Sequence, residues 1–267
     1  MQKRDRLANF LFTAGFGTKG VIYILIGAFA VLSVISAARS VDGPKGVLKW
    51  LGNQPFGQFL VGAVGVGLVC YALWRIYAAA ADVRASSDDK EDAVKRVGWF
   101  VSGLSHGLLA FFVFKLLTGG GQTSGDGKKQ DAIQWLLAQS WGQWAVGAIG
   151  LIMLGVGGYQ LYRAITNAHM KNIDKHRLKP ERVKYFRRMG EVGLTARFLV
   201  FGIIAFFLGK AAVMQDADKF KGVGEAIGGL RDWPFGSALL TLVGLGMVAY
   251  GAFMIVRANY ERVTLSD

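Results

Sequence analysis

Long hydrophobic runs alternate with short basic segments along the whole chain. Six of these runs carry few or no charged residues, and each is about 20 residues long, the length that an α-helix needs to cross the roughly 30 Å hydrocarbon core of a bilayer. The pattern therefore predicts an all-α integral membrane protein with six transmembrane helices. The predicted spans cover residues 15–38, 56–80, 97–118, 141–165, 192–214 and 235–257.

The six predicted spans repeat as three hairpins. In each hairpin, a semi-apolar segment between the two spans ends in an aromatic residue followed by glycine, and these segments align without a gap. They cover residues 47–57, 132–142 and 226–236. Because a two-span repeat returns the chain to its starting side, the copies are expected to follow pseudo-threefold symmetry about the membrane normal. We therefore predict a single membrane domain over 1–267 with three tandem repeats at 10–82, 96–166 and 188–259.

Composition agrees with this pattern. Of the 267 residues, 52% are hydrophobic and 37 are glycine, and glycine at this frequency is typical of closely packed membrane helices. The single cysteine, Cys70, excludes an internal disulfide and any site that needs several cysteines. A basic tail precedes the first span as in a signal peptide, but the pattern of this span recurs later, so we expect the span to be retained.

The net charge of +13 follows from the flanks of the spans. Most of the Lys and Arg lie on the side that holds both termini and a basic loop at 167–190, so the positive-inside rule predicts that both ends are cytoplasmic. The loop is expected to face anionic lipids of the bilayer rather than nucleic acid. Its basic residues are Lys171, Lys175, Arg177, Lys179, Arg182, Lys184, Arg187 and Arg188.

Three residues stand out because they occupy one repeat position inside the spans. Lys19, His106 and Arg197 align when the first helices of the three repeats are superposed. A charge inside the membrane costs about 2.5–3.5 kcal/mol on insertion scales, so a recurring one needs a role. The three residues are predicted to form one basic layer. Glu191 is the only carboxylate close in sequence, and it is a candidate charge partner for Arg197.

Two interpretations of the layer stay open. If the three side chains face the bundle axis, they form a ring suited to a small anion or a phosphate group; if they face outwards, they anchor the helices at the headgroups. Other basic residues lie nearer the ends of the predicted spans, where long side chains reach the headgroup region, so we expect them to point there. They are Arg75, Lys115, Arg163 and Lys210.

Other chemistries lack the residues that they require. His106 is the only histidine in a span, which excludes a bis-histidine haem site, and no metal-ligand, nucleophile–base or phosphate-loop spacing occurs. We therefore expect no cofactor, no metal and no enzymatic activity.

The chain resembles the DUF1206 family, bacterial membrane proteins made of tandem two-helix repeats. One part of the resemblance is a basic residue four positions after a glycine, at Gly15–Lys19 and Gly193–Arg197. The other is the segment Leu-x-x-x-Pro-Phe-Gly at 51–57 and 230–236. The middle repeat departs from both motifs, with His106 at the basic position. The resemblance implies the fold and the membrane location, and it implies no activity.

Two functions remain compatible with the sequence. The first is a passive channel or pathway for a small anion or a neutral solute beside the basic layer. The alternative is a non-transporting membrane scaffold, or a protein that binds lipid or a partner. A hydrated tunnel past His106 would favour the first function, and a dry bundle sealed by glycines would favour the second.

Overall fold

The computed structural model describes residues 3–35, 43–80, 89–118 and 132–261, and its regular elements there are helices. Short 3₁₀ turns and a single isolated bridge between Ile173 and Glu261 complete the described part. The helices in chain order are α1 (Lys3–Ile35), α2 (Pro44–Gly52), α3 (Gly57–Ala80), α4 (Asp89–Leu117), α5 (132–137), α6 (Gly142–Ile165), α7 (Pro180–Met214), α8 (Val223–Gly228) and α9 (Gly236–Tyr260).

Six of these helices are long and apolar enough to cross a membrane: α1, α3, α4, α6, α7 and α9. The fold is thus all-helical, as predicted, and consistent with a multi-pass membrane protein. The second helix of each repeat begins within a residue or two of its predicted start, because a turn ending in glycine marks it. The first helices extend well beyond the predicted spans on the basic side, because charged residues also favour helix.

The helical extension corrects one expected boundary. The basic loop predicted at 167–190 ends at Lys179, because α7 begins at Pro180 and continues without a break to Met214. Pro180 occupies the first turn, where the missing N–H breaks no hydrogen bond within the helix. At 1.5 Å per residue, the 35 residues of α7 extend about 50 Å, well beyond the apolar core of a bilayer.

The same tight turn precedes the second helix in two repeats. Phe56 and Phe235 both have a φ of 58°, and both are 86% exposed. In each turn, the N–H of the following glycine donates to a carbonyl three residues earlier, at 2.7 Å for Gly57 and 2.8 Å for Gly236. Pro55 and Pro234 therefore lie in the turn that precedes the helix.

Consecutive repeats pack through equivalent small residues. Across the junction of α9 and α1, the glycine pairs Gly20/Gly251 and Gly27/Gly244 bring the two backbones together, and a Cβ on Gly20 would lie 2.7 Å from the carbonyl oxygen of Gly251. At the other two junctions, α3 with α4 and α6 with α7, the positions equivalent to Gly251 are Ala72 and Gly157. Both contact the first helix of the next repeat.

Within a hairpin, glycine also sets the distance between the helices. A Cβ on Gly15 of α1 would lie 2.5 Å from the Cα of Tyr71 on α3, and a Cβ on Gly193 of α7 would lie 2.5 Å from the Cα of Tyr250 on α9. The first and third hairpins are therefore closed by the same contact. The helices α4 and α6 of the second hairpin lack an extensive interface with each other.

Two hydrophobic clusters fill the bundle. One contains Ile26 and Leu240, towards the short connecting helices, and the other contains Phe12 and Phe253, towards the basic side of the molecule. Tyr23 packs against both clusters. The level of Tyr23 is therefore the boundary between them, and the residues that were singled out from the sequence lie near this level.

The hairpin contact predicts the effect of a single methyl group. Replacing Gly193 with Ala should destabilise the protein by about 1–3 kcal/mol, because the new Cβ would overlap the Tyr250 backbone, which cannot move aside as a flexible side chain would. The control is Gly202→Ala in the same helix, where a Cβ would have no neighbour within 4 Å. Thermal unfolding in detergent measures both variants, and equal melting temperatures would contradict the close contact.

Candidate functional site

The structure gathers Lys19, His106 and Arg197 around two buried tyrosines, Tyr71 and Tyr250. Each of the three residues lies on the first helix of its repeat. Lys19 is 6% exposed, and His106 and Arg197 are partly buried. The His106 ring is within electrostatic range of both Lys19 and Arg197. We refer to Lys19, His106 and Arg197 as the basic layer.

Tyr71 holds two cations at once. Its hydroxyl oxygen accepts a hydrogen bond from Lys19 Nζ at 2.9 Å and another from Arg75 Nε at 2.9 Å. Lys19 Nζ also lies 4.5 Å from the centroid of the Tyr71 ring, and the Arg75 guanidinium lies 5.2 Å from it. Arg75 thus turns back along α3 into the bundle, whereas the sequence predicted that it points to the headgroups.

Tyr250 plays the equivalent role in the third repeat. Arg197 donates from a terminal guanidinium nitrogen to the Tyr250 hydroxyl at 2.5 Å. The guanidinium lies 4.6 Å from the Tyr250 ring centroid, 4.9 Å from that of Phe201 and 5.6 Å from that of Tyr23. Such cation–π contacts are worth about 2 kcal/mol or more where water is excluded. Aromatic faces therefore partly replace the water that this charge has lost.

His106 joins the layer through a tilted contact between aromatic rings. Its ring centroid is 4.4 Å from that of Tyr71, on the neighbouring repeat. Its Nδ1 lies 2.7 Å from the carbonyl oxygen of Ser102, which only accepts, so the Nδ1–H is the donor. In the neutral ring, Nε2 is then left as an acceptor. The second repeat has no tyrosine at the position of Tyr71 and Tyr250, where Val156 stands instead.

The expected pairing of Glu191 with Arg197 does not occur. The Glu191 carboxylate lies 3.0 Å from Arg188 and 3.5 Å from Arg187, both on the preceding turn of α7. Glu191 projects toward the basic end of its helix, while Arg197 turns to Tyr250. Sequence distance alone did not reveal that the two side chains take different partners.

A buried carboxylate that was not singled out from the sequence lies on the basic side of the layer. Glu261 accepts from Arg257 in two-pronged geometry, with distances of 2.5 Å to Nε and 3.0 Å to a terminal nitrogen. Arg257 is 8% exposed and Glu261 is 9% exposed. A buried pair of this kind is costly to break because the remaining charge has no partner. Their spacing of four residues on a helix was a usable signal in the sequence.

The chain after α6 binds to the same end of the bundle. The ring of the buried His169 has one nitrogen 2.9 Å from the Arg163 carbonyl oxygen and the other 3.2 Å from the Arg187 carbonyl oxygen. The N–H of Asp174 donates to the Tyr260 carbonyl at 2.8 Å. This connection therefore joins the ends of α6, α7 and α9.

The predicted basic segment presents its charges on the surface. Seven of its eight basic residues are exposed, and the eighth, Arg187, pairs with Glu191. Of the other basic residues in the spans, Lys210 is exposed on α7 and Lys115 is partly buried, 5.4 Å from the centroid of the Phe111 ring. Arg163 is also partly buried, and its guanidinium lies 6.0 Å from the Tyr159 ring centroid.

The cavity recorded next to the layer is small. A cavity lined by Arg75, Arg257 and aromatic side chains, among them Phe16, holds about 10 Å³, which is near the lower limit for a single water molecule. Within the ranges that the structure describes, no three His, Cys, Asp or Glu residues are placed to hold a metal ion. What the layer offers chemically is a set of hydrogen-bond donors and positive charge.

Because the Tyr71 hydroxyl accepts hydrogen bonds from two cations, removing it should lower the stability of the protein. Replacing Tyr71 with Phe leaves the Lys19 ammonium and the Arg75 guanidinium without their acceptor, at a cost of about 2–4 kcal/mol in the free energy of unfolding. Tyr77→Phe on the same helix is the matched control, since its hydroxyl forms no hydrogen bond with the residues that the structure describes. Denaturation in detergent reports both variants, and equal stability would refute the role assigned to the Tyr71 hydroxyl.

Comparison with known sequences identifies a relative of the chain and a matching family model. It is 28% identical over 250 residues to a protein of Bacillus subtilis (strain 168) named "Uncharacterized protein YxxB", an alignment that covers 94% of this chain and 90% of the relative. No solved structure matches the chain. A family model described as "Domain of Unknown Function (DUF1206)" matches three times in tandem, at residues 14–82, 97–167 and 192–261. Three repeats with this match over most of the sequence show that the chain belongs to the DUF1206 family.

Proposed function

We propose that the chain is a non-transporting protein of the bacterial inner membrane, a scaffold that holds anionic lipid headgroups at its cytoplasmic face. The observation that carries this proposal is that the cations of the basic layer are directed at aromatic side chains, since Lys19 and Arg197 donate to the hydroxyls of Tyr71 and Tyr250. The cavity beside Arg75 and Arg257 holds only about 10 Å³. A pathway for a solute needs continuous polar space, and this interior offers aromatic rings instead. No catalytic role is part of the proposal, because the cations of the layer face tyrosines and no nucleophile.

The helix contacts support a dry bundle rather than a conduit. At the junction of α1 and α9, the backbones touch at Gly20 and Gly251 and again two turns away at Gly27 and Gly244. Contacts of this kind are held by dispersion over matched small surfaces and leave no room for a hydrated path. Lys19 is directed towards the Tyr71 hydroxyl and is not free to guide an ion.

The repeat contacts also support the proposed arrangement about the membrane normal. The position of Gly251, Gly157 and Ala72 meets the following repeat at all three junctions, including the one that joins the third repeat to the first. A cyclic relation of this kind supports the proposal that all three first helices cross the membrane in one direction, as pseudo-threefold symmetry requires.

The exposed basic segment supplies the lipid contact in this proposal. Its side chains extend from the connection after α6 into the first turns of α7, beside the Arg257–Glu261 pair. Each Lys or Arg near an anionic membrane surface contributes about 1 kcal/mol to the attraction. Seven exposed residues are thus enough to enrich anionic lipids around the cytoplasmic end. The same charges would set the orientation with both termini inside.

Accessibility of single cysteines tests the orientation. In a Cys70→Ala background, Lys179→Cys should be labelled by a membrane-impermeant maleimide only in inverted vesicles, and Lys219→Cys only in intact spheroplasts. Lys179 precedes α7 and Lys219 follows it, so a single crossing of the membrane by α7 separates them. Reaction of both residues from one side would exclude the proposed topology.

Flux through reconstituted liposomes tests the non-transporting role. Vesicles with the wild-type chain should release chloride, nitrate, phosphate, potassium and glycerol at the rate of protein-free vesicles, because the interior lacks a hydrated path. A known channel reconstituted at the same density serves as the positive control. Faster release of any anion that falls on replacing Lys19 with Gln would establish the pathway function and overturn the scaffold.

A further inference from the structure

The second hairpin is open where the other two are closed. Gly15 and Gly193 bring the helices of their hairpins together. In the second repeat, Ser102 stands at the equivalent position. Gly67 contacts Thr18 and Gly246 contacts Ala196 in the closed hairpins, and the equivalent residue in the second repeat is Ile152. The larger side chains keep α4 and α6 from approaching each other. The sequence itself therefore specifies an opening between these two helices.

Exposure confirms that the opening reaches positions that are buried elsewhere. Tyr71 is 0% exposed and Tyr250 is 3% exposed, whereas Val156 at the equivalent position of α6 is 41% exposed. Ile152, one turn earlier, is 64% exposed. Ile152 and Val156 therefore face the flank of the bundle between α4 and α6. We name this region the open flank and define it by Ser102, His106, Ile152, Val156 and Arg163.

Positive charge borders the open flank. His106 on α4 is within electrostatic range of Lys19, Arg75 and Arg197. Arg163 on α6, partly buried, is within electrostatic range of Tyr250, of Arg257 and of Glu261, and Glu261 is itself paired with Arg257. None of Lys19, Arg75, Arg163 and Arg197 forms an ion pair with a carboxylate of another described residue. Because charge inside a membrane is costly, an anion from outside the chain would further stabilise this group of cations.

We infer that the open flank binds one anionic phospholipid, with the phosphate near Arg163 and the acyl chains along α4 and α6. The inference rests on the proposed function and extends it from loose enrichment at the surface to a defined site. Charge complementarity favours this occupant over a zwitterionic lipid, which brings its own ammonium group. Apolar residues such as Leu104 and Leu108, 55% and 64% exposed on α4, suit acyl chains.

Native mass spectrometry of the full chain in mild detergent tests the inference. The probes are phosphatidylglycerol, phosphatidylcholine and inorganic phosphate, each added after a wash in 0.5 M NaCl that screens binding to the exposed basic segment. The wild type should retain one phosphatidylglycerol per chain and neither of the other probes. Retention of phosphatidylcholine to the same extent, or displacement of the lipid by millimolar phosphate, would overturn the assignment.

Two independent variants locate the site. Arg163→Gln should weaken phosphatidylglycerol retention about tenfold, because one charge-assisted hydrogen bond of about 1.4 kcal/mol is lost, whereas Lys210→Gln on the far surface of α7 should change nothing. The triple variant Ser102→Gly, Ile152→Gly and Val156→Tyr gives the second repeat the residues that close the others, and it should exclude the lipid. Unchanged retention in Arg163→Gln would refute the site, whatever the fate of the triple variant.

The experiments distinguish a failure of the lipid site from a failure of the proposed function. Anion flux in liposomes with no lipid retained would overturn both proposals. A lack of flux together with loss of all lipid in 0.5 M NaCl would overturn only the site at the open flank, since the basic segment would then account for the lipid contact. A lack of flux with one retained phosphatidylglycerol that depends on Arg163 supports both.

Discussion

Direct contact between helix backbones is the constraint on which the rest of this structure depends. Lipid tails are as apolar as leucine, so the hydrophobic effect does little to drive helices together in a bilayer, and close approach at small residues takes its place. Gly15 and Gly193 allow that approach within hairpins, and Gly20 and Gly251 allow it between repeats. Where the second repeat substitutes Ser102, the approach fails and the bundle opens. One residue type thus decides both where the bundle closes and where it stays accessible.

Closure of the hairpins determines how the basic layer is neutralised. Because Gly15 places α1 directly against Tyr71, the phenol hydroxyl lies within 2.9 Å of Lys19 Nζ. The third repeat repeats this geometry with Gly193, Tyr250 and Arg197. Hydrogen bonding to a phenol and contact with its ring lower the cost of a buried cation without adding a carboxylate. A glycine and a tyrosine on facing helices therefore act as a unit, and the second repeat, which has neither, keeps a histidine at its basic position.

The sequence was sufficient for the helices and the repeats but not for the directions of the side chains. Hydropathy and the recurrent aromatic–glycine turn predicted six helices in three copies, and superposition of the copies singled out Lys19, His106 and Arg197. Tyr71 and Tyr250 carried the same signal, since both occupy one repeat position, but the absence of a tyrosine in the second repeat hid it. The pairing of Glu191 with Arg188, and the turn of Arg75 towards Tyr71, depend on rotamers that no periodicity encodes.

The most extensive interface between described helices joins α1 and α9, and about 200 residues of the chain are synthesised between these two helices. Until α9 is synthesised, the glycine face of α1 has no partner, and Lys19 has only its own hairpin to shield it. The bundle therefore cannot be completed one repeat at a time, as a linear array of repeats can. Because this closure is long-range, α9 acts as a checkpoint for assembly. A chain that stops short of α9 would expose an unfilled glycine groove and a poorly shielded charge, and the machinery that degrades incomplete membrane proteins could recognise both.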